Sequence, residues 1–337
     1  MIGRGTSAVK SFPHHPFDSM PGPLAAVVRR HLARLSFAVV ILGASACAAA
    51  LPTPDTAPGA VASRQGTAPR GTLFIVGGGP QPPALVREFV DLAGGAGRAR
   101  IIVFAMASSD GASSGEEKAK DLRALGATAV NVFANHEQAN TDSVARLLDG
   151  ATGVWFGGGD QVLLARALHG TRTERAIRER YRAGAVIGGT SAGAAVMSAL
   201  MITGDERHPG GARPPSDSSD TFMTIARDNI VVDSGFALLP GAIVDQHFVR
   251  RKRHNRLLSL VLEQPVRLGV GIDESTALIV EPDGRWRVAG ASAAIVYDAR
   301  HAPTTPAGST LGATGVVLHV LPAGSRFDPA SGAATLP

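Results

Sequence analysis

A serine on a turn of small residues, Gly-Thr-Ser-Ala-Gly at 189–193, is the feature that most clearly points to chemistry. This G-x-S-x-G pattern lies between a predicted strand and a predicted helix. Such a turn lifts the serine Oγ clear of the backbone, and N–H groups at the helix start can stabilise an oxyanion. The pattern predicts a nucleophile at Ser191, but it also suits a glycine-rich turn in which the serine only caps the helix. For the oxyanion, Ala192 N–H would be one donor and Gly158 or Gly159 N–H the second.

A serine nucleophile needs a base and a group that orients the base, and two downstream segments could supply them. His247 follows one apolar run, and the pair Asp273–Glu274 follows another. Both positions are predicted strand ends, where a parallel sheet collects its catalytic groups. Taken singly, His247 also suits a hydrogen-bonded core histidine and the carboxylates suit a turn cap. Together with the serine turn, they favour a hydrolase site.

The elements that must position these residues alternate between short apolar runs and amphipathic stretches. Strands are predicted at 73–76, 101–104, 129–133, 153–156 and 185–187. Helices are predicted at 83–93, 116–125, 142–148, 162–169, 173–182 and 194–200. This alternation indicates a parallel sheet covered by helices on both faces, with the site in the loops after the strand C-termini. Later runs at 294–297 and 316–320 are predicted to close one edge of the sheet.

The composition allows a sizeable core and disfavours nucleic-acid binding. Of the 337 residues, 45% are hydrophobic and 18% are charged, which is typical of a globular chain. The formal net charge is +5, but five of the 33 basic residues and only one of the 28 acidic residues lie in residues 1–46. The rest of the chain therefore has a formal charge of +1. Such a small excess of positive charge does not suggest a general nucleic-acid-binding surface.

The first 50 residues have the pattern of an export leader. Arg29, Arg30 and Arg34 precede the apolar run 35–44, and small residues follow it. A basic segment, a short apolar segment and an A-x-A-like site are typical of a secretory signal peptide. The apolar run is too short for a comfortable membrane span. We therefore expect export to the periplasm, the cell exterior or the cell envelope, with a buried N-terminal helix as the alternative.

Cys47 is the only cysteine in the sequence, so no disulfide can form within the chain. Its place just after the apolar run suits a bacterial lipoprotein attachment site, and simple cleavage near Ala46 or Ala50 fits equally well. Residues 51–70, rich in Pro and Thr, are predicted to be a flexible linker. The remaining residues, 71–337, are predicted to form a single catalytic α/β domain.

Four blocks of the sequence together resemble the cyanophycinases, which are serine peptidases related to peptidase E. The blocks occur in order at 157–161, 189–194, 245–248 and 271–277. The resemblance, which covers about residues 71–300, implies a three-layer α/β sandwich with a mainly parallel sheet, of the class I glutamine-amidotransferase (flavodoxin-like) type. It also implies that Ser191 is the nucleophile, His247 the general base and Glu274 the carboxylate that orients the base. No metal or cofactor is implied.

Substrate choice is predicted from the basic run that follows His247. A run of this kind is often a solvated helix face or a nucleic-acid patch. Its position, however, places it near the mouth of the site, where arginines can hold carboxylates. By resemblance, the residues that bind substrate are Gln161, Asp245, Gln246, Arg251, Arg253 and Arg256. Asp245 could instead hold the loop that carries His247.

The resemblance implies an exported serine exopeptidase, expected as a homodimer, that hydrolyses cyanophycin to β-Asp–Arg dipeptides. Cyanophycin is a poly-aspartate with arginine attached through each side-chain carboxylate. Other interpretations stay open: a peptidase for other Asp-containing or isoaspartyl peptides, an inactive binding protein at the cell surface, or an α/β-hydrolase esterase with His301 or His319 as base. Membrane contact is expected only through a lipid on Cys47.

Overall fold

The computed structural model describes residues 71–207, 224–265 and 268–337. The predicted leader and linker lie outside the described residues, and so does the polar loop at 208–220. The described residues belong to one compact unit, Ser63–Pro337, and the predicted domain boundaries stay a prediction. No helix of the described part is both long and apolar enough to cross a bilayer.

Strands and helices alternate through the first part of the described chain, and strands dominate the last part. The strands are β1 Leu73–Val76, β2 Arg100–Phe104, β3 Thr128–Val132, β4 Gly153–Phe156, β5 Val186–Thr190, β6 Leu200–Glu206, β7 Ile230–Ser234, β8 Ala242–Gln246, β9 Leu268–Ile272, β10 Thr276–Val280, β11 Trp286–Gly290, β12 Ala293–Asp298, β13 Val317–Pro322, β14 Arg326–Asp328 and β15 Ala333–Thr335. The helices are α1 Pro83–Leu92, α2 Gly111–Ala124, α3 His136–Ala139, α4 Asp142–Ala145, α5 Gln161–Leu168, α6 Arg172–Arg182, α7 Ala192–Ala195 and α8 His254–Glu263, with a 3-10 turn at Arg146–Leu148.

The main sheet of the described chain has nine strands in the order β15-β14-β11-β10-β1-β5-β4-β2-β3. The strands β1, β5, β4, β2 and β3 run parallel to one another. The remaining strands extend the sheet from β1 in antiparallel pairs. β1 and β4 are buried along their whole length, which explains their uninterrupted apolar sequences, because a parallel sheet is covered on both faces.

Helices cover both faces of the parallel strands. On one face, Phe89 of α1 and Leu122 of α2 share an apolar cluster with Trp155 of β4. On the other face, Leu168 of α5 and Ile177 of α6 pack in the largest cluster of the core. This three-layer α/β arrangement, with a parallel core, confirms the predicted fold class.

A second sheet contains strands that were expected at the edge of the first. Its order among the described residues is β13-β12-β9-β8, with β8 and β9 parallel. α8 packs in an apolar cluster with this sheet. The runs at 294–297 and 316–320 pair with each other in this second sheet, so their predicted place at an edge of the main sheet is wrong. The physical reason is that the apolar pattern of a strand shows which faces are buried but does not specify which strand it will join.

The helix after the serine turn is shorter than the predicted span of 194–200. α7 ends at Ala195, and β6 begins at Leu200, where it pairs with β7. The Val244 N–H donates to the buried Ser198 Oγ at 2.8 Å. This bond ties the segment after the serine turn to β8, the strand that leads to His247.

Candidate active site

Ser191 lies at a sharp turn between β5 and α7. Its φ and ψ are 53° and −109°, a conformation that non-glycine residues seldom adopt. A Cβ on Gly189 would lie 3.0 Å from Gly193 Cα and closer still to its carbonyl, so the turn needs these small residues. The Ser191 side chain makes no capping hydrogen bond to α7. The geometry therefore favours a nucleophile elbow over a simple helix cap.

His247 connects Ser191 to Glu274 through its two ring nitrogens. Its Nε2 lies 2.9 Å from Ser191 Oγ, and its Nδ1 lies 2.6 Å from Glu274 Oε1. With the Nδ1–H donated to the carboxylate, Nε2 is left to accept the proton of the serine hydroxyl. The structure thus brings together the three residues that the sequence predicted as nucleophile, base and orienting carboxylate.

The histidines of the esterase interpretation lie elsewhere. His319 is on β13, with its ring centroid 5.0 Å from that of Phe327 in an edge-on contact. His301 is exposed, beyond the end of β12. Because His247 occupies the place beside Ser191, the geometry gives no support to a base at either position. Within the described ranges, no group of three or more His, Cys, Asp or Glu side chains is placed to hold a metal ion.

The end of β1 supports all three members of this hydrogen-bonded chain. The carbonyl oxygens of residues 76–78 accept, in order, from the N–H groups of Ser191, His247 and Ser275 at 3.1, 2.6 and 2.8 Å. The backbones of Ser191 and His247 are held directly by these bonds. Glu274 is held through Ser275, the residue that follows it. One strand end therefore sets the spacing of groups that are far apart in sequence.

The glycines after β1 are needed because the site packs directly on them. Gly78 and Gly79 have φ values of 107° and 70°. A Cβ on Gly78 would overlap the His247 ring, and one on Gly79 would lie 2.8 Å from Glu274 Cβ. Sequence reasoning recognised this glycine run only as the end of a strand. Its likeness to the run at 157–159 was the signal that could have placed it in the site.

Asp273 and Glu274 are neighbours in sequence but have different partners. Whereas Glu274 bonds to His247, Asp273 accepts from the Arg250 N–H at 2.9 Å and from the Ser292 hydroxyl at 2.8 Å. Both lie where the chain leaves β9 in the second sheet and enters β10 in the main sheet. Asp273 therefore holds the turn, and Glu274 faces the histidine.

The surroundings of His247 favour its neutral form. Burial lowers the pKa of His247 below its usual value of 6.5, and the positive charges of Arg251 and Arg253 lower it further. The hydrogen bond to Glu274 acts in the opposite direction but does not reverse the shift. A histidine with a lowered pKa is neutral at pH 7, which is the form that can accept a proton.

The residues predicted to hold an oxyanion lie next to Ser191. Ala192 is fully buried and begins α7, so its N–H belongs to the first turn of the helix, which has no partner within the helix. A Cβ on Gly158 would lie 3.6 Å from Ser191 Cβ. Gly159 has a φ of 133°, and a Cβ there would overlap Ala107 O, so only glycine fits at this position.

A cavity of about 290 Å³ opens beside Ser191, and we call it the arginine cavity. Its lining includes Gln161, Gln246, Arg251, Arg253, Arg256 and the residues Thr203, Gly204 and Asp205 of β6. Arg253 Nη1 donates to Gln246 O at 2.8 Å, and Arg251 is exposed at the cavity. Burial lowers the pKa of Arg253 to about 10, so it stays charged at pH 7. Asp205 is an exposed carboxylate of this lining that sequence reasoning did not identify.

Asp245 and Arg256 face each other inside the protein. Both side chains are almost completely buried, and Arg256 Nε donates to Asp245 Oδ2 at 2.7 Å, with a second bond from Nη2 to Oδ1. Asp245 Oδ1 also accepts the Gln246 N–H at 2.7 Å. Of the two roles predicted for Asp245, this geometry favours the one that holds the loop carrying His247. Direct contact of either residue with substrate stays a prediction.

Gln161 lines the arginine cavity, and its side-chain amide is hydrogen-bonded to β6. Its Nε2 donates to Ile202 O at 2.8 Å and also to Thr203 O. These bonds join the start of α5 to β6. The side-chain amide therefore positions the rim of the cavity, and its role toward substrate stays a prediction.

The sequence matches known peptidases over most of its length. The profile of peptidase family S51 matches residues 73–286. A cyanophycinase from Trichormus variabilis is 34% identical over 268 residues, which cover 76% of this chain and 85% of that protein. A cyanophycinase from Geminocystis herdmanii is 30% identical over 270 residues, which cover 77% of this chain and 94% of that protein.

A solved structure has a related fold. The crystal structure of a peptidase from an acI-B1 actinobacterium superposes with a TM-score of 0.53 at 21% sequence identity, covering 75% of this chain and 98% of that chain. This likeness supports the fold alone. The sequence matches decide the family and the enzyme class: the chain is a peptidase, and it belongs to peptidase family S51.

Proposed function

We propose that the protein is an exported serine exopeptidase that hydrolyses cyanophycin to β-Asp–Arg dipeptides. The observation that carries the proposal is the hydrogen-bonded chain Ser191–His247–Glu274 beside a cavity lined by arginines. The similarity to proteins named cyanophycinase supports the substrate.

In the proposed mechanism, every proton moves through His247. Its Nε2 removes the proton from Ser191 Oγ, which attacks the carbonyl carbon of an aspartyl–aspartyl backbone bond. Glu274 holds the ring and stabilises the imidazolium that forms. The imidazolium then protonates the leaving amine. Water, activated by the neutral histidine, hydrolyses the acyl-enzyme and frees the serine.

The oxyanion of each tetrahedral intermediate needs donors that are already in place. We assign them to the Ala192 N–H and to the N–H of Gly158 or Gly159. Ala192 follows Ser191, Gly158 lies close to the Ser191 side chain, and Gly159 lines the same cavity as Ser191. Backbone donors fixed at a strained turn and in a glycine loop need little reorganisation during the reaction. Such preorganised donors supply a large share of catalysis in acyl transfer.

The charges of the arginine cavity suit the side chain of this polymer. Each repeat unit presents the carboxylate and the guanidinium of an amide-linked arginine. Arg251 and Arg253 can bind the carboxylate with charge-assisted hydrogen bonds. Asp205 can pair with the guanidinium. A cavity with both signs of charge therefore favours a zwitterionic side chain over a purely acidic one.

The proposal includes the location of the enzyme. We propose that residues 1–50 direct export, so that the substrate is polymer outside the cytoplasm, and that Cys47 either carries lipid or is removed with the leader. Mass spectrometry of the membrane fraction would separate these two outcomes. A homodimer is expected by resemblance, and sedimentation of the purified protein would test it.

The central experiment is incubation of the purified protein with insoluble cyanophycin, with the Ser191→Ala variant as control. We expect β-Asp–Arg release by the wild type only. If neither protein releases dipeptide but a fluorophosphonate labels the wild type at Ser191, the assignment as a serine peptidase is kept. Cyanophycin is then rejected as the substrate. Asp-containing and isoaspartyl peptides would then be the next substrates. A protein that neither cleaves nor labels would be a binding protein.

A further inference from the structure

A second cavity, of about 580 Å³, borders the serine turn on the side of α1 and α2. Its wall includes Thr190, the residue before Ser191, and the glycine loop 157–159. Gly159 lines both this cavity and the arginine cavity. A substrate chain that crosses Ser191 can therefore place one group in each cavity.

Lys118 of α2 supplies a cation to this second cavity, which we call the lysine cavity. Its Nζ lies 4.3 Å from the centroid of the Trp155 ring and donates to Gln81 Oε1 at 2.5 Å. An ammonium has three donors, so this single bond to a neutral amide leaves donors for a ligand. Burial lowers the pKa of Lys118 to about 8, so the group is still mostly protonated at pH 7.

The placement of Lys118 favours an anionic ligand. A cation that is removed from water costs free energy unless an opposite charge offsets it. The neighbours in direct contact with the ammonium, Gln81 and Trp155, carry no formal charge. The negative charge of the exposed Asp121 raises the pKa of Lys118, but burial still outweighs it. A carboxylate that enters the lysine cavity would bring a negative charge into direct contact with the ammonium and accept its remaining hydrogen bonds.

Two carboxylates lie further out on the same helix. Glu117 and Asp121 both line the lysine cavity, and both are exposed. The lysine cavity thus combines a half-buried cation with exposed carboxylates. The arginine cavity has the same combination, with Arg253 inside and Asp205 exposed.

We propose that the lysine cavity is a second substrate subsite, in which Lys118 binds the carboxylate of the repeat unit across the scissile bond from the unit in the arginine cavity. Glu117 and Asp121 face the guanidinium of that unit. The inference rests on the proposed function, because a polymer of identical zwitterionic units presents the same side chain on both sides of each backbone peptide bond. Two cavities with the same charge pattern, one lined by Ser191 and the other by its neighbour Thr190, match that repetition.

The test combines one substitution with one change in substrate. The variant is Lys118→Met, which keeps the length of the side chain over Trp155 but removes the charge. Its matched control is Lys120→Met, two residues further along the same helix, where the lysine is exposed. The substrates are a four-unit oligomer of β-Asp–Arg and an analogue with agmatine in place of arginine, which keeps the guanidinium and lacks the carboxylate.

We expect Lys118→Met to lower kcat/KM on the arginine oligomer by roughly 10- to 100-fold, the value of a charge-assisted hydrogen bond. On the agmatine oligomer, the same substitution should change kcat/KM less than about twofold. Lys120→Met should match the wild type on both. Lys118→Arg, which keeps a cation, should restore part of the activity, and an unchanged rate of fluorophosphonate labelling would show that the nucleophile is intact.

Two results would overturn the subsite. One is a Lys118→Met variant that equals the wild type on the arginine oligomer. The other is an equal loss on both oligomers, which would mean that Lys118 only supports the structure. Failure of the proposed function would look different: the wild type itself would cleave neither oligomer nor polymer, and the subsite would be rejected with it.

Discussion

Ser191 and His247 reach each other from two different sheets, and each has a positive φ, 53° and 48° respectively. Their N–H groups donate to successive carbonyl oxygens, those of Val76 and Gly77, at the end of β1. Backbone strain of this kind costs roughly 1–3 kcal/mol per residue and persists only where the surrounding structure enforces it. The end of β1 is therefore the common support on which the side chains of Ser191 and His247 are aligned.

The first prediction concerns the close packing of Gly78 against His247. A Gly78→Ala substitution would push the imidazole away, because a Cβ at this position overlaps the ring. Since a displacement of about 1 Å can cost 10²-fold in rate, we expect kcat/KM to fall by about that factor or more. The measurement is steady-state hydrolysis together with the rate at which a fluorophosphonate labels Ser191.

The matched control for this substitution is Gly170→Ala. Gly170 also has a positive φ, 74°, but nothing lies within 4 Å of a Cβ built there. It should show the destabilisation of an alanine in this backbone region without the loss of labelling. Equal labelling rates for the two variants would mean that packing against Gly78 does not position the histidine.

The second prediction separates the neighbouring carboxylates. Glu274→Gln should lower kcat by about 10²- to 10⁴-fold with little change in folding, because an amide cannot hold the imidazole in the required form. Asp273→Asn should mainly lower the free energy of unfolding, by about 1–3 kcal/mol, because Asp273 accepts two hydrogen bonds that hold the turn. Urea unfolding and steady-state kinetics on both variants would check this. The reverse pattern would assign the orienting carboxylate to Asp273.

The third prediction concerns the pH at which the rate of the reaction falls on the acid side. Only neutral His247 can accept the serine proton, and burial lowers its pKa below 6.5. The decline in the rate of Ser191 labelling at acid pH should therefore be centred below pH 6.5. Removing a nearby positive charge raises the pKa of the histidine, so Arg251→Gln and Arg253→Gln should each move the decline to higher pH.

Labelling is the right measurement for that profile because it does not need these arginines to bind substrate. Lys252→Gln is the control, since Lys252 lies in the same run and is not among the charges that shift the pKa of His247. Its pH profile should coincide with that of the wild type. A decline already centred above pH 6.5 in the wild type would contradict the assigned direction.

The fourth prediction is that Asp245 and Arg256 stabilise the protein as a pair, because each side chain offsets the buried charge of the other. Asp245→Asn leaves the buried Arg256 charge without its carboxylate, and it should lower the free energy of unfolding by about 3–5 kcal/mol. The double variant Asp245→Asn/Arg256→Met should lose much less than the sum of the two single losses. The exposed pair Arg285–Asp283 is the control, and Asp283→Asn should cost at most about 1 kcal/mol. Additive losses at 245 and 256 would mean that the two residues act separately.

Much of the site could be predicted from local sequence. The turn around Ser191 has its own signature, because only small residues allow the close approach of Gly189 and Gly193. His247 and Glu274 were identified because the resemblance covered complete blocks. The same blocks did not show that Asp245 and Arg256 would bury their charges together, because a linear run of basic residues carries no sign of which one points inward.

The sequence by itself determined the α/β class and the parallel core through apolar periodicity. Through the four blocks that resemble a known family, it also indicated the three residues of the hydrogen-bonded chain. Periodicity and short motifs are local properties, so they can be recognised without the tertiary structure. The tertiary structure alone decided that His247 and Glu274 come from a second sheet and that the glycine run after β1 supports them. It also placed Lys118 beside Trp155 in a cavity lined by Thr190, the residue before Ser191. These relationships depend on strand pairing and helix packing between segments many residues apart, and burial patterns along one segment do not encode the partner of another.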